Sequence, residues 1–221
     1  MNEKNLNYDL KKLTDYWDSY YASKTDLLPN SNFSEFVLNY IQKNQTLIDI
    51  GCGDGRDSVF FGAKNILTTG VDVSSNAIKN NKRLEHRYLK FKILNIERIQ
   101  DYQKEYDHAY CRFLFHAIDE QIENKLLQWL KDNISKKIFV ETRIKDSTIA
   151  DIEQTHYRRY FSESSFVKKI NDIGLNITYS KISKDFSKYK TIYNVNDLKD
   201  NPLLLLSLIH IYEPTRQEAI S

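Results

Sequence analysis

The sequence predicts an α/β fold in which a mostly parallel sheet carries helices on both faces. Three of the six glycines stand at alternate positions, 51, 53 and 55, directly after a short apolar segment with the composition of a buried strand. A segment that can begin a helix follows this glycine turn. Further along, strand-like and helix-like segments alternate, which is typical of parallel strands joined by right-handed crossovers.

Each element is predicted from its own periodicity and flanking residues. The strands are expected at 46–50, 66–73, 89–94, 106–111, 136–142 and 175–183. Helices are expected at 33–42, from Asp57 onward, at 119–131 and at 163–173. Residues 1–45 are amphipathic and helical in pattern, so we interpret them as a helical cap before an α/β domain at 46–205.

Composition argues against several classes of function. Lysine and arginine number 32 against 30 aspartates and glutamates, a balance that does not indicate a nucleic-acid partner. We interpret the basic run between Lys79 and Lys92 as the solvated side of a helix and its exit. No start-proximal apolar run is long enough for a signal peptide or a membrane span. Cys52 and Cys111 lack C-x-x-C spacing, so we expect free, buried thiols in a cytoplasmic protein.

A carboxylate precedes the glycine turn, in the pattern Asp49-x-Gly51-x-Gly53-x-Gly55. A dinucleotide-binding turn has the spacing G-x-G-x-x-G instead. The pattern resembles the first motif of the class I S-adenosylmethionine-dependent methyltransferases. That resemblance implies S-adenosylmethionine as the cofactor, with the glycine loop passing under its amino-acid end. It also implies a Rossmann-like fold with a mostly parallel seven-stranded sheet and an N-terminal helical cap.

The resemblance extends to the ends of the next two strands. It implies that Asp72, which ends the second strand, accepts hydrogen bonds from the ribose hydroxyls. Asn95 stands where the family commonly has an acidic residue for the adenine amino group, and its side-chain oxygen can still accept. The cofactor-binding residues implied in this way are Asp49, Gly51, Cys52, Gly53, Gly55, Arg56, Asp57, Asp72, Val73, Asn95, Ile96 and Arg112.

Candidates for catalysis follow the later strands, because ligands of such sheets bind beyond the carboxyl ends of the strands. His116, Glu141 and His156 have side chains that can remove a proton from a hydroxyl or ammonium acceptor. Each histidine has the alternative role of a hydrogen-bonded structural residue. An acceptor oxygen that is already anionic would need no base. No spacing of histidine, cysteine, aspartate or glutamate indicates a metal site.

Arginine is concentrated in the same strand-end loops. Five of the nine arginines lie there: Arg56, Arg112, Arg143, Arg158 and Arg159. Arginine presents a planar fork of donors that suits a carboxylate or a phosphate. We therefore expect Arg143, Arg158 and Arg159 to bind an anionic group of the substrate. The alternative is that individual arginines form ion pairs with acidic neighbours such as Glu141 or Glu163.

Bulky aromatic residues recur in the predicted cap. Tyr20 and Tyr21 follow Trp17 at helical spacing. They either close over the cofactor or substrate, or belong to a packing stripe of the helix. We treat both tyrosines as candidate substrate-binding residues.

Three later segments, at 112–117, 141–146 and 156–159, are similar to a bacterial methyltransferase subgroup. Its members often accompany genes for surface-glycan decoration and for phosphate- or phosphonate-containing head groups. The resemblance covers about residues 14–203. It implies methyl transfer to an oxygen or nitrogen of a small or glycan-linked acceptor that carries an anionic group. Three alternatives stay open: a tellurite- or thiopurine-type heteroatom methyltransferase, a non-catalytic module that binds the cofactor, and a nucleic-acid methyltransferase.

The end of the chain has a different character. Residues 201–203 resemble the start of a last strand, which in this family runs antiparallel between the fifth and sixth strands. Residues from about 206 onward resemble translated read-through of a sequencing-library adaptor. We therefore interpret 206–221 as a non-native tail and expect the last strand to be artefactual or incomplete.

Overall fold

The computed structural model describes residues 9–24, 26–144, 157–159, 162–183 and 204–211, the last range as backbone only. Its helices are α1 (Leu10–Ala22), α2 (Asn32–Leu38), α3 (Arg56–Ala63), α4 (Ser75–Asn81), α5 (Glu120–Asn133) and α6 (Glu163–Asp172). Its strands are β1 (Thr46–Ile50), β2 (Leu67–Asp72), β3 (Leu89–Ile93), β4 (Tyr106–Arg112), β5 (Ile134–Arg143), β6 (Leu175–Ser183) and β7 (Leu204–Ile211).

The strands form one sheet in the order β3-β2-β1-β4-β5-β7-β6. Strands β1 to β5 pair in parallel, whereas β7 runs antiparallel to both β5 and β6. Strands β2 and β3 lie on one side of β1, and β4 and β5 lie on the other, so the strand order reverses between β1 and β4. Open parallel sheets bind ligands at such a switch point, beyond the carboxyl ends of the strands. The predicted α/β fold with a parallel sheet is confirmed.

Apolar layers cover both faces of the sheet, because successive side chains of a strand point to opposite faces. Leu47 of β1 packs in a cluster with Phe33 of α2 and Phe61 of α3. The next residue, Ile48, belongs to the larger cluster that includes Leu126 of α5. All five are fully buried, and each contributes about 1.5–3 kcal/mol through removal of apolar surface from water. The sheet is therefore held between two helical layers.

The observed boundaries differ from the predicted ones mainly in α2, which ends at Leu38 instead of residue 42. The amide of Asn39 donates to the carbonyls of Glu35 and Phe36, at 3.3 and 3.0 Å. These side-chain bonds compete with continuation of the helix. Helix α5 begins after Asp119, whose carboxylate accepts from Ile122 N at 2.8 Å as an N-cap.

Helix α1 lies against the start of α4. The carboxylate of Asp18 accepts from Ser74 Oγ and from Asn76 N, both at 2.8 Å. A carboxylate is favourable at this position because the first backbone N–H groups of a helix lack partners within the helix. The contact brings the aromatic side of α1 over the carboxyl ends of β1 and β2.

Strand β7 lies at the position predicted for the last strand, between β5 and β6. The expectation that residues 206–221 are non-native stays a prediction, as does the division of the chain at residues 45 and 205. Among the described residues, every helix is too short or too polar to span a bilayer.

Candidate functional site

The glycine turn between β1 and α3 uses left-handed backbone at all three glycines, with φ of 77°, 53° and 77° at Gly51, Gly53 and Gly55. Side chains other than glycine rarely adopt this conformation. The N–H groups of Gly51 and Cys52 both donate to Val71 O, at 2.8 and 3.0 Å, and so attach the turn to β2. The turn is therefore a fixed backbone cradle at the carboxyl ends of two adjacent strands.

Tyr21 of α1 lies directly over this cradle. A Cβ atom placed on Gly53 would overlap the Tyr21 hydroxyl and stand 3.0 Å from the ring carbon that bears it. A Cβ on Gly51 would stand 3.3 Å from Leu114. Gly53 therefore allows close approach of another group, and α1 forms one wall of the space above the turn.

Asp72 joins the glycine turn to the start of α4. Its two carboxylate oxygens accept from Gly53 N and Ser74 N, each at 2.9 Å. Burial raises the pKa of Asp72, and the backbone donors of Ser74 and Gly53 oppose this rise. Each oxygen has a further lone pair for another donor.

A cavity of about 360 Å³ lies above the carboxyl ends of β1, β2, β4 and β5 and below α1. Its walls include most of the residues predicted to bind the cofactor: Asp49, Gly51, Cys52, Gly53, Arg56, Asp57, Asp72, Val73, Ile96 and Arg112. They also include the predicted substrate-side residues Tyr20, Tyr21, His116, Arg143 and Arg158. The cavity is therefore the place where the two predicted sets meet.

The β1 and β2 side of this cavity is rich in carboxylates. Burial raises the pKa of Asp49 to about 8, although Ser58 Oγ donates to its carboxylate at 2.5 Å. Burial also raises the pKa of Asp54, which lines the same wall. A cationic group in the cavity would favour the ionised form of these carboxylates. The amino and sulfonium groups of S-adenosylmethionine are cationic, so the carboxylates and the glycine cradle fit this cofactor.

Asp57 has a hydrogen-bonding role within the fold. Its carboxylate accepts from Ser31 N at 2.7 Å, and from Ser31 Oγ and Tyr110 OH at 2.8 Å. Ser31 is the N-cap of α2, so these contacts connect α2 to the first turn of α3 and to β4. Asp57 reaches the cavity wall, and it also sets the position of the helix that follows the glycine turn.

Two predicted cofactor residues do not line the cavity. A Cβ on Gly55 would stand 2.9 Å from both the Asn81 amide and the Phe91 ring, so this glycine is required by packing against α4 and β3. The Asn95 side-chain oxygen accepts from Glu97 N at 2.9 Å and caps the short 3-10 helix Ile96–Asp101. The structure gives both residues a local structural role, and their predicted contacts with the ligand stay predictions.

Glu141 is placed differently from the prediction of a catalytic base. Its side chain is fully buried in β5, does not line the cavity, and forms an ion pair with Arg112 at the end of β4. Burial raises the pKa of Glu141 to about 7, and the neighbouring Arg112 opposes this rise. The alternative role of ion-pair partner is the one that the geometry supports.

Arg159 is likewise engaged in an ion pair instead of lining the cavity. Its guanidinium pairs with Glu123 of α5, and its backbone N donates to His116 O at 2.8 Å. The neighbouring residue Arg158 lines the cavity. The third predicted base, His156, lies outside the described residues.

His116 and two arginines gather around one phenyl ring. Arg112 and Arg143 place their guanidinium carbons 4.1 and 5.7 Å from the centroid of the Phe113 ring, and the His116 ring lies edge-on to it at 5.8 Å. Nδ1 of His116 is 3.4 Å from Thr142 Oγ1. Guanidinium groups are attracted to an aromatic face, so the ring helps to hold this cationic wall together.

Phe113 itself has a left-handed backbone, with φ of 58°. Such a conformation costs a bulky residue about 1–3 kcal/mol and occurs preferentially at functional sites. Phe113 N donates to Glu141 O at 2.7 Å, which holds the strained residue at the end of β4. Sequence reasoning missed Phe113 as a site residue because a positive φ leaves no compositional trace. It also missed Asp54, although this residue lies within the glycine motif.

Comparison with known proteins places this architecture in one family. Residues 21–180 match the family model described as "Methyltransferase domain". No curated protein matches the chain by sequence. An S-adenosylmethionine-dependent methyltransferase from Anabaena variabilis has a TM-score of 0.69 at 18% identity, with 95% of this chain and 98% of that chain covered.

Two further solved structures share the fold. Magnesium protoporphyrin IX methyltransferase from Synechocystis, with bound S-adenosylhomocysteine, gives a TM-score of 0.60 at 12% identity over 96% of this chain and 90% of that chain. A TehB-like S-adenosylmethionine-dependent methyltransferase from Corynebacterium glutamicum gives a TM-score of 0.62 at 11% identity, with 92% of this chain and 100% of that chain covered. The family match covers most of the chain and agrees with the motif and the cavity. The chain therefore belongs to the Methyltransferase domain family, and its cofactor is S-adenosylmethionine.

Proposed function

We propose that the chain methylates an oxygen or nitrogen of a small or glycan-linked acceptor that carries an anionic group. The observation that carries this proposal is the division of charge within the cavity. Asp49, Asp54 and Asp72 lie on the β1 and β2 side, where Arg56 is close to Asp54 and the carboxylates are in excess. Arg143, Arg158 and His116 lie on the other side. A cationic cofactor suits the first side, and an anionic acceptor suits the second.

The carboxylate side would hold the cofactor. Asp72 has lone pairs available for the ribose hydroxyls, Asp49 offers a buried charge to the cationic end, and Gly53 permits close approach of the backbone. The cofactor supplies an activated methyl group on its sulfonium. The contribution of the chain is therefore mainly to position an acceptor in line with that group and to exclude water.

The arginine side would hold the acceptor. Arg143 and Arg158 can form charge-assisted hydrogen bonds with a carboxylate, phosphate or phosphonate. His116 is the described candidate base that lines the cavity, and it would accept the proton of a hydroxyl or ammonium acceptor. If the acceptor oxygen is already anionic, His116 would act as a hydrogen-bond partner only.

The finer elements of the proposal come from the sequence resemblance. We propose a cytoplasmic bacterial enzyme whose acceptor is a surface-glycan precursor or a phosphate- or phosphonate-containing head group, with residues 1–45 acting as the cap. The fold shared with the TehB-like structure keeps heteroatom methylation as a second candidate. The arginine-lined wall favours the anionic acceptor over a thiol, because a narrow apolar pocket would suit an uncharged thiol better.

Methyl transfer from labelled S-adenosylmethionine to a panel of acceptors tests the proposal. The panel contains phosphomonoesters, phosphonates, acidic sugars, tellurite and small thiols. Arg158→Ala is the test variant, and Arg98→Ala is its matched control, because Arg98 is exposed and pairs with Asp101 at the surface. We expect label in a phosphomonoester, a phosphonate or an acidic sugar, with activity lowered by Arg158→Ala and unchanged by Arg98→Ala.

The other outcomes separate the alternatives. Label only in tellurite or thiols would support the heteroatom candidate. Cofactor binding without transfer to the panel or to bacterial extracts would support a non-catalytic module. Equal activity of Arg158→Ala and the parent chain on an anionic acceptor would remove the proposed role of the arginine wall.

A further inference from the structure

An acidic side chain outside the cavity is buried between two cationic residues from different parts of the chain. Glu123 of α5 is 2% exposed, and its carboxylate pairs with Arg159 and lies 3.4 Å from Lys169 Nζ of α6. An isolated charge in such surroundings is strongly unfavourable, so the pairing fixes all three side chains relative to one another. Glu123 does not line the cavity, and the proposed chemistry does not use it.

The pairing attaches a short segment to the body of the fold. The contacts that hold residues 157–159 at Arg159 include the ion pair with Glu123 and the hydrogen bond from Arg159 N to His116 O at 2.8 Å. The preceding residue, Arg158, lines the cavity. With Arg159 attached on the outside, the adjacent side chain is directed to the inside.

We propose that Glu123 is a positioning residue for the anion site, because it holds Arg159 and thereby sets the position of Arg158 in the cavity. This inference rests on the proposed function, since it assigns a role in binding the anionic group of the acceptor. The competing explanation is that Glu123 only joins α5 to α6 through Lys169.

Glu120 provides a matched control on the same helix. Its carboxylate pairs with the same Lys169 Nζ at 2.8 Å, and its side chain is 68% exposed. Glu120→Gln therefore weakens the connection between α5 and α6, and it leaves the pair between Glu123 and Arg159 in place. Glu123→Gln keeps the size of the side chain and removes the charge that holds Arg159.

Two measurements on each variant test the proposal, both on the full chain with S-adenosylhomocysteine bound. Hydrogen exchange at the Arg159 amide reports the attachment of the segment. Titration with inorganic phosphate, followed by calorimetry, reports the anion site. For Glu123→Gln we expect faster exchange at Arg159 and phosphate affinity lower by about tenfold or more, as for loss of one charge-assisted hydrogen bond. For Glu120→Gln we expect both values unchanged.

The affinity for S-adenosylhomocysteine is the internal reference, and we expect it to stay within about twofold in both variants, a change of under about 0.5 kcal/mol. If Glu123→Gln does not fold, Arg159→Met removes the same contact while Lys169 still pairs with Glu123. Unchanged exchange at Arg159, or unchanged phosphate affinity despite faster exchange, would overturn the positioning role. If the parent chain does not bind phosphate, the proposed anion site is overturned, and the positioning role with it. If the parent chain binds phosphate and Glu123→Gln binds it equally well, only the positioning role is overturned and the proposed function stands.

Discussion

Replacement of Asp72 by alanine is expected to weaken binding of S-adenosylhomocysteine severely. The Asp72 carboxylate accepts from Gly53 N and Ser74 N and has lone pairs left for two ribose hydroxyls. A hydrogen bond to a charged group contributes about 1.5–3 kcal/mol. For the two ribose hydrogen bonds together we take a lower value of about 2–4 kcal/mol, because the site is partly open to solvent. That range corresponds to an affinity lower by about 30- to 700-fold.

Calorimetric titration of the parent chain, Asp72→Asn and Asp72→Ala measures this effect. The asparagine variant keeps an oxygen acceptor without the charge, so we expect an intermediate loss of about tenfold, the value of one weakened hydrogen bond. Asp101→Ala is the control, because this carboxylate is exposed and pairs with Arg98 at the surface. Thermal unfolding must show that each variant is folded. A folded Asp72→Ala variant with unchanged affinity would refute the ribose contact.

Further predictions concern the glycine turn, a buried carboxylate and a buried histidine. Gly53→Ala should reduce cofactor binding at least tenfold by calorimetry (about 1.4 kcal/mol), because a side chain strains the left-handed backbone at this position and its Cβ would displace Tyr21 above the turn. Burial raises the pKa of Asp49 to about 8, so S-adenosylmethionine should bind more tightly as pH rises from 7 to 8, and binding should release the proton of Asp49. This proton release makes the heat of binding depend on the buffer, and a buffer dependence that persists in Asp49→Asn would contradict the assignment. Burial lowers the pKa of His108 to about 4, so the unfolded chain binds more protons between pH 4 and 6.5. The raised pKa values of Asp49 and Glu141 act in the opposite direction on total stability, so the effect of His108 is read as a difference between two chains. From pH 7 to 4.5 the free energy of unfolding of the parent chain should fall by about 2–3 kcal/mol relative to that of His108→Gln in urea titrations, and the same pH dependence in both chains would count against this cause.

The glycine turn was predictable because its signal is local. Gly51, Gly53 and Gly55 adopt left-handed backbone within five residues, and glycine is otherwise scarce in the chain. The position of Asp72 beside this turn was also predictable, because Asp72 ends the strand that pairs with β1. The parallel strand order could also be predicted, because alternating strands and helices allow few arrangements.

The sequence could not predict which arginines line the cavity and which form ion pairs within the fold. Arg158 and Arg159 are adjacent in sequence, yet the first lines the cavity and the second pairs with Glu123 of α5. Which one faces inward depends on the path of the backbone between distant elements. The same holds for Glu141, whose burial behind Arg112 is a property of the packed sheet.

Gly55 has a packing role that its place in the motif does not reveal. The structure places the Asn81 amide and the Phe91 ring against the position of its missing side chain, and its contact with the ligand stays a prediction. Phe113 is a second case, because its strained backbone becomes visible only once β4 and β5 are paired.

The central claim is that the carboxylate-led glycine turn holds S-adenosylmethionine. Calorimetric titration of the purified chain with S-adenosylmethionine, a nicotinamide dinucleotide and a flavin nucleotide tests it most directly. We predict saturable binding of one S-adenosylmethionine per chain, lost in Gly53→Val, and no binding of the other two. Binding of a nicotinamide or flavin nucleotide without any response to S-adenosylmethionine would contradict the account.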